Sequence, residues 1–246
     1  MLFRDRAIIN LESVDSTNNY AANLVRLSQP PEGTVITAQH QTSGRGQRHA
    51  SWESTNGENL LCSIILYPKF IQAINQFSLS QAIALSVREL VENEIQKEVS
   101  IKWPNDIIVE NKKIAGILIE NSWMDARLNS CICGIGINLN QMHFETSNAI
   151  SVRYITKRIW DVNDCLVQFI DILEKYYLRL KSENYVEISN AYHSHLFRKD
   201  IRSRFIFENN EIEATILGVD LHGRLKIQPS AGEIVFCDLK EIAMIL

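Results

Sequence analysis

Residues 102–120 read KWPNDIIVENKKIAGILIE, and this stretch decides the kind of fold. It contains two runs of β-branched and other apolar residues, and the second alternates with a two-residue period, which is typical of β-strands. The Glu-Asn-Lys sequence between the runs suits a tight turn. Pro104, just before the first run, would fix a bend or occupy a bulge. The stretch therefore predicts a β-hairpin within a sheet.

Further strands and helices are predicted on both sides of this hairpin. The predicted strands are residues 7–11, 34–40, 60–67, 100–103 with 107–109, 113–123 and 130–139. The predicted helices lie within residues 14–27, at 76–96, at 162–180 and in a stretch ending near Phe197, because apolar residues recur there at helical spacing. In the first helix, Tyr20, Leu24 and Leu27 form the apolar stripe. This order of elements predicts an α+β fold with a mixed sheet.

The pattern changes near Ile201. From there, short predicted strands are separated by turn residues at 209–210, 220–223 and 229–232. Such a pattern is typical of a small all-β module of roughly fifty residues. We therefore expect two domains, residues 1–197 with a mixed sheet and packed helices and residues 198–246 with a small β-barrel.

Composition narrows the class of protein. The 246 residues have a formal net charge of -4, with 22% charged and 46% hydrophobic residues, which gives no support to general nucleic-acid binding. No apolar run is long enough to cross a membrane, and the N-terminus lacks the apolar segment of a signal peptide. We therefore expect a cytoplasmic protein with no membrane partner. Cys131 and Cys133 would share one face of a strand and could form half of a metal site. No second Cys or His pair follows at zinc-site spacing, so we do not expect a zinc site.

The segment QTSGRGQRHASW, residues 41–52, is the most informative one for function. Gly44 and Gly46 allow a positive φ and a close backbone approach, and successive N–H groups in such a loop can bind an anion. Arg45 and Arg48 carry guanidinium groups suited to a carboxylate or a phosphate, and the final tryptophan supplies an aromatic wall. The alternative is a flexible surface loop with two solvated arginines.

The hairpin region contains residues suited to phosphate chemistry. Lys102 could neutralise phosphate charge, Asn105 could position a polar ligand, and Asp106 could hold Mg²⁺ through one carboxylate. The alternative is a capped turn with Lys102 and Asp106 exposed. Lys113 could point a cation into a pocket and Gly116 would let a ligand approach the backbone. The alternative for Lys113 is a solvated hairpin lysine.

Taken together and in this order, these segments resemble the biotin–protein ligase family. The resemblance is carried by SVDSTN at 13–18, SGRGQR at 43–48, KWPNDI at 102–107, KIAGILIE at 113–120 and GIGINLN at 134–140. It implies a catalytic domain like that of class II aminoacyl-tRNA synthetases, followed by an SH3-like barrel. Regulatory members also carry an N-terminal helix-turn-helix domain. The catalytic pattern starts almost at Met1 here, so a monofunctional enzyme that binds no DNA is expected.

The resemblance also implies a reaction and the residues that perform it. The enzyme would use ATP and Mg²⁺ to activate biotin as biotinyl-adenylate, and would pass biotin to a lysine of a biotin carboxyl carrier protein or carboxylase subunit. The positions that match biotin contacts are Ser16, Thr17, Asn18, Gln41, Gly44, Arg45, Gly46, Gln47, Lys113 and Gly116. Those on the nucleotide side are Arg45, Arg48, Trp52, Lys102, Asn105, Asp106, Lys113 and Asn138, with Asp106 as the Mg²⁺ ligand. Lys113 and Arg45 are the expected catalytic residues.

Two positions depart from the family pattern. Gln47 stands where the family loop commonly has arginine, and His49 stands where glycine often occurs, so retention of the adenylate is expected to differ. His193 and His195 have HxH spacing but should diverge on a helix, so no role is expected for them. Two alternatives remain open, a lipoate–protein ligase and a biotin-binding regulator without catalysis. The segments around Lys102 and Lys113 favour the biotin ligase.

Overall fold

The structure of the chain is a computed structural model that describes residues 7–47, 50–239 and 241–245. Its central sheet has seven strands. They are β1 (Ile8–Val14), β2 (Val35–Gln41), β3 (Leu60–Leu66), β4 (Ser100–Lys102), β5 (Asp106–Val109), β6 (Lys112–Met124) and β7 (Arg127–Ile137). The strand order is β1-β2-β3-β7-β6-β5-β4. β1 and β2 are parallel and the other neighbours are antiparallel, so the predicted mixed sheet is confirmed.

The predicted hairpin is formed by β5 and β6. Glu110 and Asn111 make its turn with φ values of 51° and 63°. Two successive positive φ values are the geometry of a type I′ turn, which matches the twist of paired strands. β6 continues beyond the end of β5 and pairs with β7 from Ala115 to Met124. Because β7 also pairs with β3, β6 and β7 lie near the middle of the sheet.

Helices cover both faces of the central sheet. They are α1 (Thr17–Ser28), α2 (Gln76–Ile95), α3 (Val152–Thr156), α4 (Val162–Lys181) and α5 (Tyr185–Ser194). α2, α4 and α5 pack together on one face and contribute to the main core. α1 packs through Tyr20 and Leu24 on a separate cluster. Leu27 was wrongly placed in the same stripe: it is 76% exposed, because the buried cluster contacts α1 only as far as Val25.

A second sheet follows α5, as the change in sequence pattern predicts. It has five strands, β8 (Arg202–Phe207), β9 (Asn210–Val219), β10 (Leu225–Pro229), β11 (Val235–Cys237) and β12 (Ile242–Met244). Their order is β11-β10-β9-β8-β12, with antiparallel pairing throughout. We call this element the C-terminal sheet.

Specific hydrogen bonds join the C-terminal sheet to the rest of the chain. The indole N–H of Trp103 donates to the carbonyl of Gly223 at 2.9 Å. The backbone N–H of Val219 donates to Nε2 of His193 at 2.9 Å, and Nδ1 of His193 lies 2.7 Å from the carbonyl of Ser189. His193 therefore connects α5 with β9, a structural contact that the sequence did not indicate.

The cysteines and helices carry no further signal of metal or membrane binding. All five cysteines are free and buried, and Cys131 Sγ lies 3.4 Å from Cys133 Sγ on one face of β7. Within the described ranges there is no group of three or more metal-binding side chains. Among the helices given above, none has both the length and the apolar character needed to span a membrane.

Candidate active site

A cavity of about 320 Å³ lies between the central sheet and the C-terminal sheet. Its polar and charged wall residues are Ser16, Thr17, Asn18, Gln41, Arg45, Gln47, Ser51, Lys102, Asn105, Asp106 and Lys113. Its apolar and aromatic wall residues include Trp52, Trp103, Pro104, Ile117, Leu118, Ile135, Phe197, Phe205, Ile216, Leu225, Ile242 and Met244. This size and this mixture are typical of a small-molecule site.

One part of the cavity is a cluster of uncharged hydrogen-bonding side chains. Thr17 donates to Gln41 Oε1 from its backbone N–H at 2.8 Å and from its hydroxyl at 3.1 Å. Ser63 Oγ lies 2.7 Å from Thr17 Oγ1 and 2.6 Å from Asn18 Oδ1. Asn18 Nδ2 donates to Glu120 Oε2 at 2.7 Å. Because Thr17, Asn18 and Ser63 are buried, these contacts hold the cluster in one arrangement toward a ligand.

Three glycines form the floor of the cavity. Gly116 lies on β6, and Gly134 and Gly136 lie on the neighbouring strand β7. A Cβ atom at Gly116 would stand 2.8 Å from the Trp52 ring, and one at Gly136 would overlap that ring. A Cβ atom at Gly134 would overlap the Asn18 amide. The glycines therefore allow Trp52 and Asn18 to lie directly against the sheet.

Another part of the cavity is positively charged. Lys113 Nζ lies 2.7 Å from Asp106 Oδ1 and 5.3 Å from the centroid of the Trp52 ring. Burial lowers the pKa of Lys102, and the positive charges of Lys113 and Arg198 act in the same direction while Asp106 opposes them. A bound anion would relieve this repulsion. Lys113 thus points a cation into the cavity, as predicted.

In the loop that follows β2, residues 44–46 pair in antiparallel fashion with residues 50–52. Gly46 N–H donates to the carbonyl of Ala50 at 2.6 Å, and Trp52 N–H donates to the carbonyl of Gly44 at 2.9 Å. Gly44 and Gly46 do not use the positive φ that the absence of a side chain allows. The expected close approach is confirmed, since a Cβ atom at Gly44 would lie 2.9 Å from the Trp52 carbonyl oxygen. Because the Gly46 N–H donates to Ala50, it is not free to bind an anion.

Arg45 is paired with a carboxylate of the protein itself. Its Nη2 donates to Glu120 Oε2 at 2.9 Å and to Oε1 at 3.1 Å. The two side chains are 41% and 39% exposed, so solvent and ligands can reach the pair. Glu120 also accepts from Asn18, and it therefore connects the loop with the uncharged cluster. Arg48 and His49 lie outside the described residues.

Of the predicted site residues that the structure describes, all but Gly44 and Asn138 line the cavity. Gly44 lies behind Trp52. Asn138 is buried at the end of β7, where its Nδ2 donates to the carbonyl of Ile150 at 3.1 Å. Its backbone N–H donates to the carbonyl of Ile114 at 2.9 Å, next to Lys113. Asn138 thus supports the strand that carries Lys113 and does not face the cavity.

Three contributions to the site were not predicted. Ser63 is the one hydroxyl residue in the buried strand LLCSIIL, and this was a readable signal because a buried hydroxyl requires a partner. Glu120 lies within the predicted strand 113–123, and nothing local indicates that it pairs with Arg45. The apolar wall from the C-terminal sheet, including Phe205 and Met244, depends on packing between distant parts of the chain.

Sequence comparisons identify relatives over most of the chain. A sequence model of the biotin/lipoate A/B protein ligase family matches residues 11–138. The bifunctional ligase/repressor BirA of Bacillus subtilis is 30% identical over 228 residues, which cover 90% of this chain and 68% of that protein. The biotin–[acetyl-CoA-carboxylase] ligase of Paracoccus denitrificans is 33% identical over 131 residues, which cover 52% of this chain and 53% of that protein.

Structure comparison extends the likeness to the C-terminal sheet. The biotin protein ligase from Aquifex aeolicus, solved in complex with biotin and ATP, has a TM-score of 0.81 to this chain at 27% identity. The match covers 97% of this chain and 98% of that one. Because so much of both chains is covered, the mixed sheet, its helices and the C-terminal sheet are all part of the shared fold.

Proposed function

The chain belongs to the biotin/lipoate A/B protein ligase family, and from this we propose that it is an ATP-dependent biotin–protein ligase. It activates biotin as biotinyl-adenylate and transfers the biotin to a lysine of a biotin carboxyl carrier protein or carboxylase subunit. One observation carries the proposal: the uncharged cluster and the Lys113–Asp106 pair lie along the same cavity. A ligand with a polar ring at one end and a carboxylate at the other suits that arrangement.

Biotin is assigned to the cavity with its ureido ring in the uncharged cluster. The ring has one carbonyl and two N–H groups, and a polar group buried without a partner costs about 1–3 kcal/mol. The cavity provides both hydrogen-bond donors and hydrogen-bond acceptors from the hydroxyl and amide groups of Ser16, Thr17, Asn18 and Gln41. The apolar chain of biotin then crosses the glycine floor at Gly116, and its carboxylate reaches Lys113.

Lys113 and Arg45 are assigned the catalytic roles. A carboxylate oxygen of biotin attacks the α-phosphorus of ATP, the bond to the bridging oxygen breaks, and pyrophosphate leaves with the electron pair. Lys113 Nζ donates charge-assisted hydrogen bonds to the carboxylate and the α-phosphate, which reduces the repulsion between them. Arg45 exchanges Glu120 for an oxygen of the adenylate.

In the second step the amine of the acceptor lysine attacks the carbonyl carbon of the mixed anhydride, and AMP leaves. Gly46 and Gln47 line the cavity. We assign them to the segment that covers the bound adenylate and keeps water from the activated acyl group. Gly44 acts indirectly by seating Trp52, and Asn138 acts by supporting the strand of Lys113. Contact of Arg48 with the nucleotide stays a prediction, since this residue lies outside the described ranges.

ATP is assigned to the part of the cavity lined by Trp52, Lys102, Asn105 and Asp106. Asp106 Oδ1 contacts Lys113, and Asn105 donates its amide to the carbonyl of Ile117. Asp106 Oδ2 and Asn105 Oδ1 remain as hard oxygen donors, which suits Mg²⁺ because this ion typically binds one or two carboxylates together with substrate phosphates. Asp106 is the proposed ligand, and Mg²⁺ bound there with ATP would neutralise phosphate charge.

The boundary between the two domains is assigned to residues 197 and 198. Five short antiparallel strands with an apolar face toward the cavity support an SH3-like barrel for the second domain. In this arrangement the second domain contributes the apolar wall opposite the glycine floor. It also excludes water from the adenylate.

Exchange of labelled pyrophosphate into ATP tests the proposed function. With Mg²⁺ present, biotin should stimulate the exchange and lipoate should not, because the uncharged cluster matches a ureido ring and not a dithiolane. Stimulation by lipoate alone would identify a lipoate–protein ligase. A folded protein that binds biotin but shows no exchange would be a regulator without catalysis.

A further inference from the structure

Arg198 is a cation beside the cavity without a carboxylate partner. Other cations of the same stretch each pair with an acid, Lys199 with Asp200, Arg202 with Glu213 and Arg204 with Glu211. No carboxylate within the described ranges forms such a pair with Arg198. The residue is half-buried, and its guanidinium stands over the Phe197 ring, with Cζ 5.3 Å from the ring centroid.

Backbone hydrogen bonds place Arg198 next to Lys102. Ile101 N–H donates to the carbonyl of His195 at 2.8 Å, and Phe197 N–H donates to the carbonyl of Ile101 at 2.9 Å. The segment that leads to Arg198 therefore runs beside β4, which ends at Lys102. Both Phe197 and Lys102 line the cavity. Arg198 does not itself line the cavity, but its side chain starts from a position adjacent to Lys102, which does.

These cations are held together although they repel each other. Lys102 lies opposite Asp106 across the β4–β5 pair, but the Asp106 carboxylate is already paired with Lys113 at 2.7 Å. Asp106 therefore compensates the charges of Lys102 and Arg198 only in part. Incompletely compensated cations at and beside a cavity attract a multivalent anion.

We propose that Arg198, together with Lys102, binds the β- and γ-phosphates of ATP and stabilises the departing pyrophosphate; this rests on the proposed function. Lys113 faces the carboxylate and the α-phosphate, and the attacking and leaving oxygens lie roughly in line across the α-phosphorus. As the bond to the bridging oxygen breaks, its electron pair and the negative charge move to pyrophosphate. The planar guanidinium of Arg198 can donate two parallel hydrogen bonds to that group.

Arg198→Gln isolates this role because biotinyl-adenylate contains no β-phosphate. The variant should form the adenylate about ten- to a hundredfold more slowly at subsaturating ATP. In the reverse direction, the enzyme should use pyrophosphate to convert synthetic biotinyl-adenylate into ATP and biotin. The pyrophosphate concentration that gives half of the maximal reverse rate should rise by a similar factor. Transfer of biotin from synthetic biotinyl-adenylate to a carrier domain should not change. Arg198→Lys should recover part of the lost rate of adenylate formation, because lysine restores the positive charge but not the two parallel N–H donors of the guanidinium.

Arg202→Gln is the matched control, because its side chain is 63% exposed and already paired with Glu213. It should leave all three measurements at the wild-type level. The proposal is overturned if Arg198→Gln leaves adenylate formation and its reversal unchanged. It is also overturned if transfer falls as much as adenylate formation, which would indicate a structural role. A wild-type protein that forms no biotinyl-adenylate would instead contradict the proposed function.

Discussion

Lys113 contributes far more to the proposed chemistry than to stability. Its pair with Asp106 is part exposed, at 36% and 29%, and such pairs contribute about 0–1 kcal/mol to folding. A hydrogen bond to a charged substrate group contributes about 1.5–3 kcal/mol. Lys113→Ala should therefore slow adenylate formation about tenfold or more, with little change in the thermal unfolding midpoint.

The exposed neighbour Lys112 provides the control for that measurement. Lys112→Ala should form the adenylate at the wild-type rate. If Lys113→Ala does so too at saturating biotin and ATP, Lys113 is a solvated hairpin lysine.

Gly136 is required because Trp52 occupies the space of the missing side chain. A Cβ atom there would overlap the indole ring, and overpacking of this kind costs about 1–3 kcal/mol. Gly136→Ala should lower the free energy of unfolding in the wild-type background and much less in a Trp52→Ala background. A double-mutant cycle by denaturant unfolding measures this coupling. Equal losses in the two backgrounds would show that Trp52 does not lie on the glycine floor.

Gln47 lines the cavity with a neutral amide, whereas the family resemblance implies an arginine at this position. An additional charged hydrogen bond contributes about 1.5–3 kcal/mol, or roughly ten- to a hundredfold in affinity. Arg45 can compensate in part, so Gln47→Arg should slow the release of biotinyl-adenylate by less than that factor. The release rate is measured after dilution into excess unlabelled ligand. Equal or faster release from the variant would show that the neutral side chain of Gln47 does not weaken the retention of biotinyl-adenylate.

For single residues, the sequence predicted which side chains line the cavity better than it predicted the ion pairs between them. Lys113 and Asp106 were recognised from their chemistry, and the structure places both at the cavity. Their mutual contact was not predicted, nor was the pairing of Arg45 with Glu120. Such pairs join residues far apart in sequence, and a single sequence carries no signal of that proximity.

At the scale of elements, the strands and helices were largely readable from periodicity and turn residues. The type I′ turn at Glu110 and Asn111 and the long helix α2 follow from local preferences, which is why they were predicted close to their observed limits. The antiparallel pairing of residues 44–46 with residues 50–52 was not predicted, because this segment has neither the alternating apolar residues nor the β-branched residues that indicate a strand.

Trp103 links the β4–β5 turn to the C-terminal sheet through its bond to Gly223. Trp103→Phe removes the donor and should lower the free energy of unfolding by about 1–3 kcal/mol. Because this turn carries Lys102 and Asp106, the variant should also raise the KM for ATP.

Trp160→Phe is the matched control for Trp103→Phe. It removes a comparable indole bond, to Thr156 Oγ1 at 3.1 Å, away from the cavity. It should lose stability without a change in the KM for ATP. The same KM shift in both variants would indicate a general loss of stability and not a link between the turn and the C-terminal sheet.

At the scale of the whole molecule, the cavity exists because two sheets pack against each other. Residues from the first half of the chain supply the polar and charged walls, and the C-terminal sheet supplies Phe205, Ile216, Leu225 and Met244. The sequence predicted both parts but not the wall between them, since packing between sheets depends on many weak contacts over long separations. The site is therefore a property of the complete fold.

The most direct measurement is mass spectrometry of a biotin carboxyl carrier domain after incubation with the protein, ATP and Mg²⁺. With biotin present, one lysine of the carrier should gain a biotinyl group, and omission of ATP or replacement of biotin by lipoate should abolish the modification. Wild-type folded protein that leaves the carrier unmodified with biotin, or that modifies it with lipoate instead, would contradict the assignment of this cavity to biotin ligation.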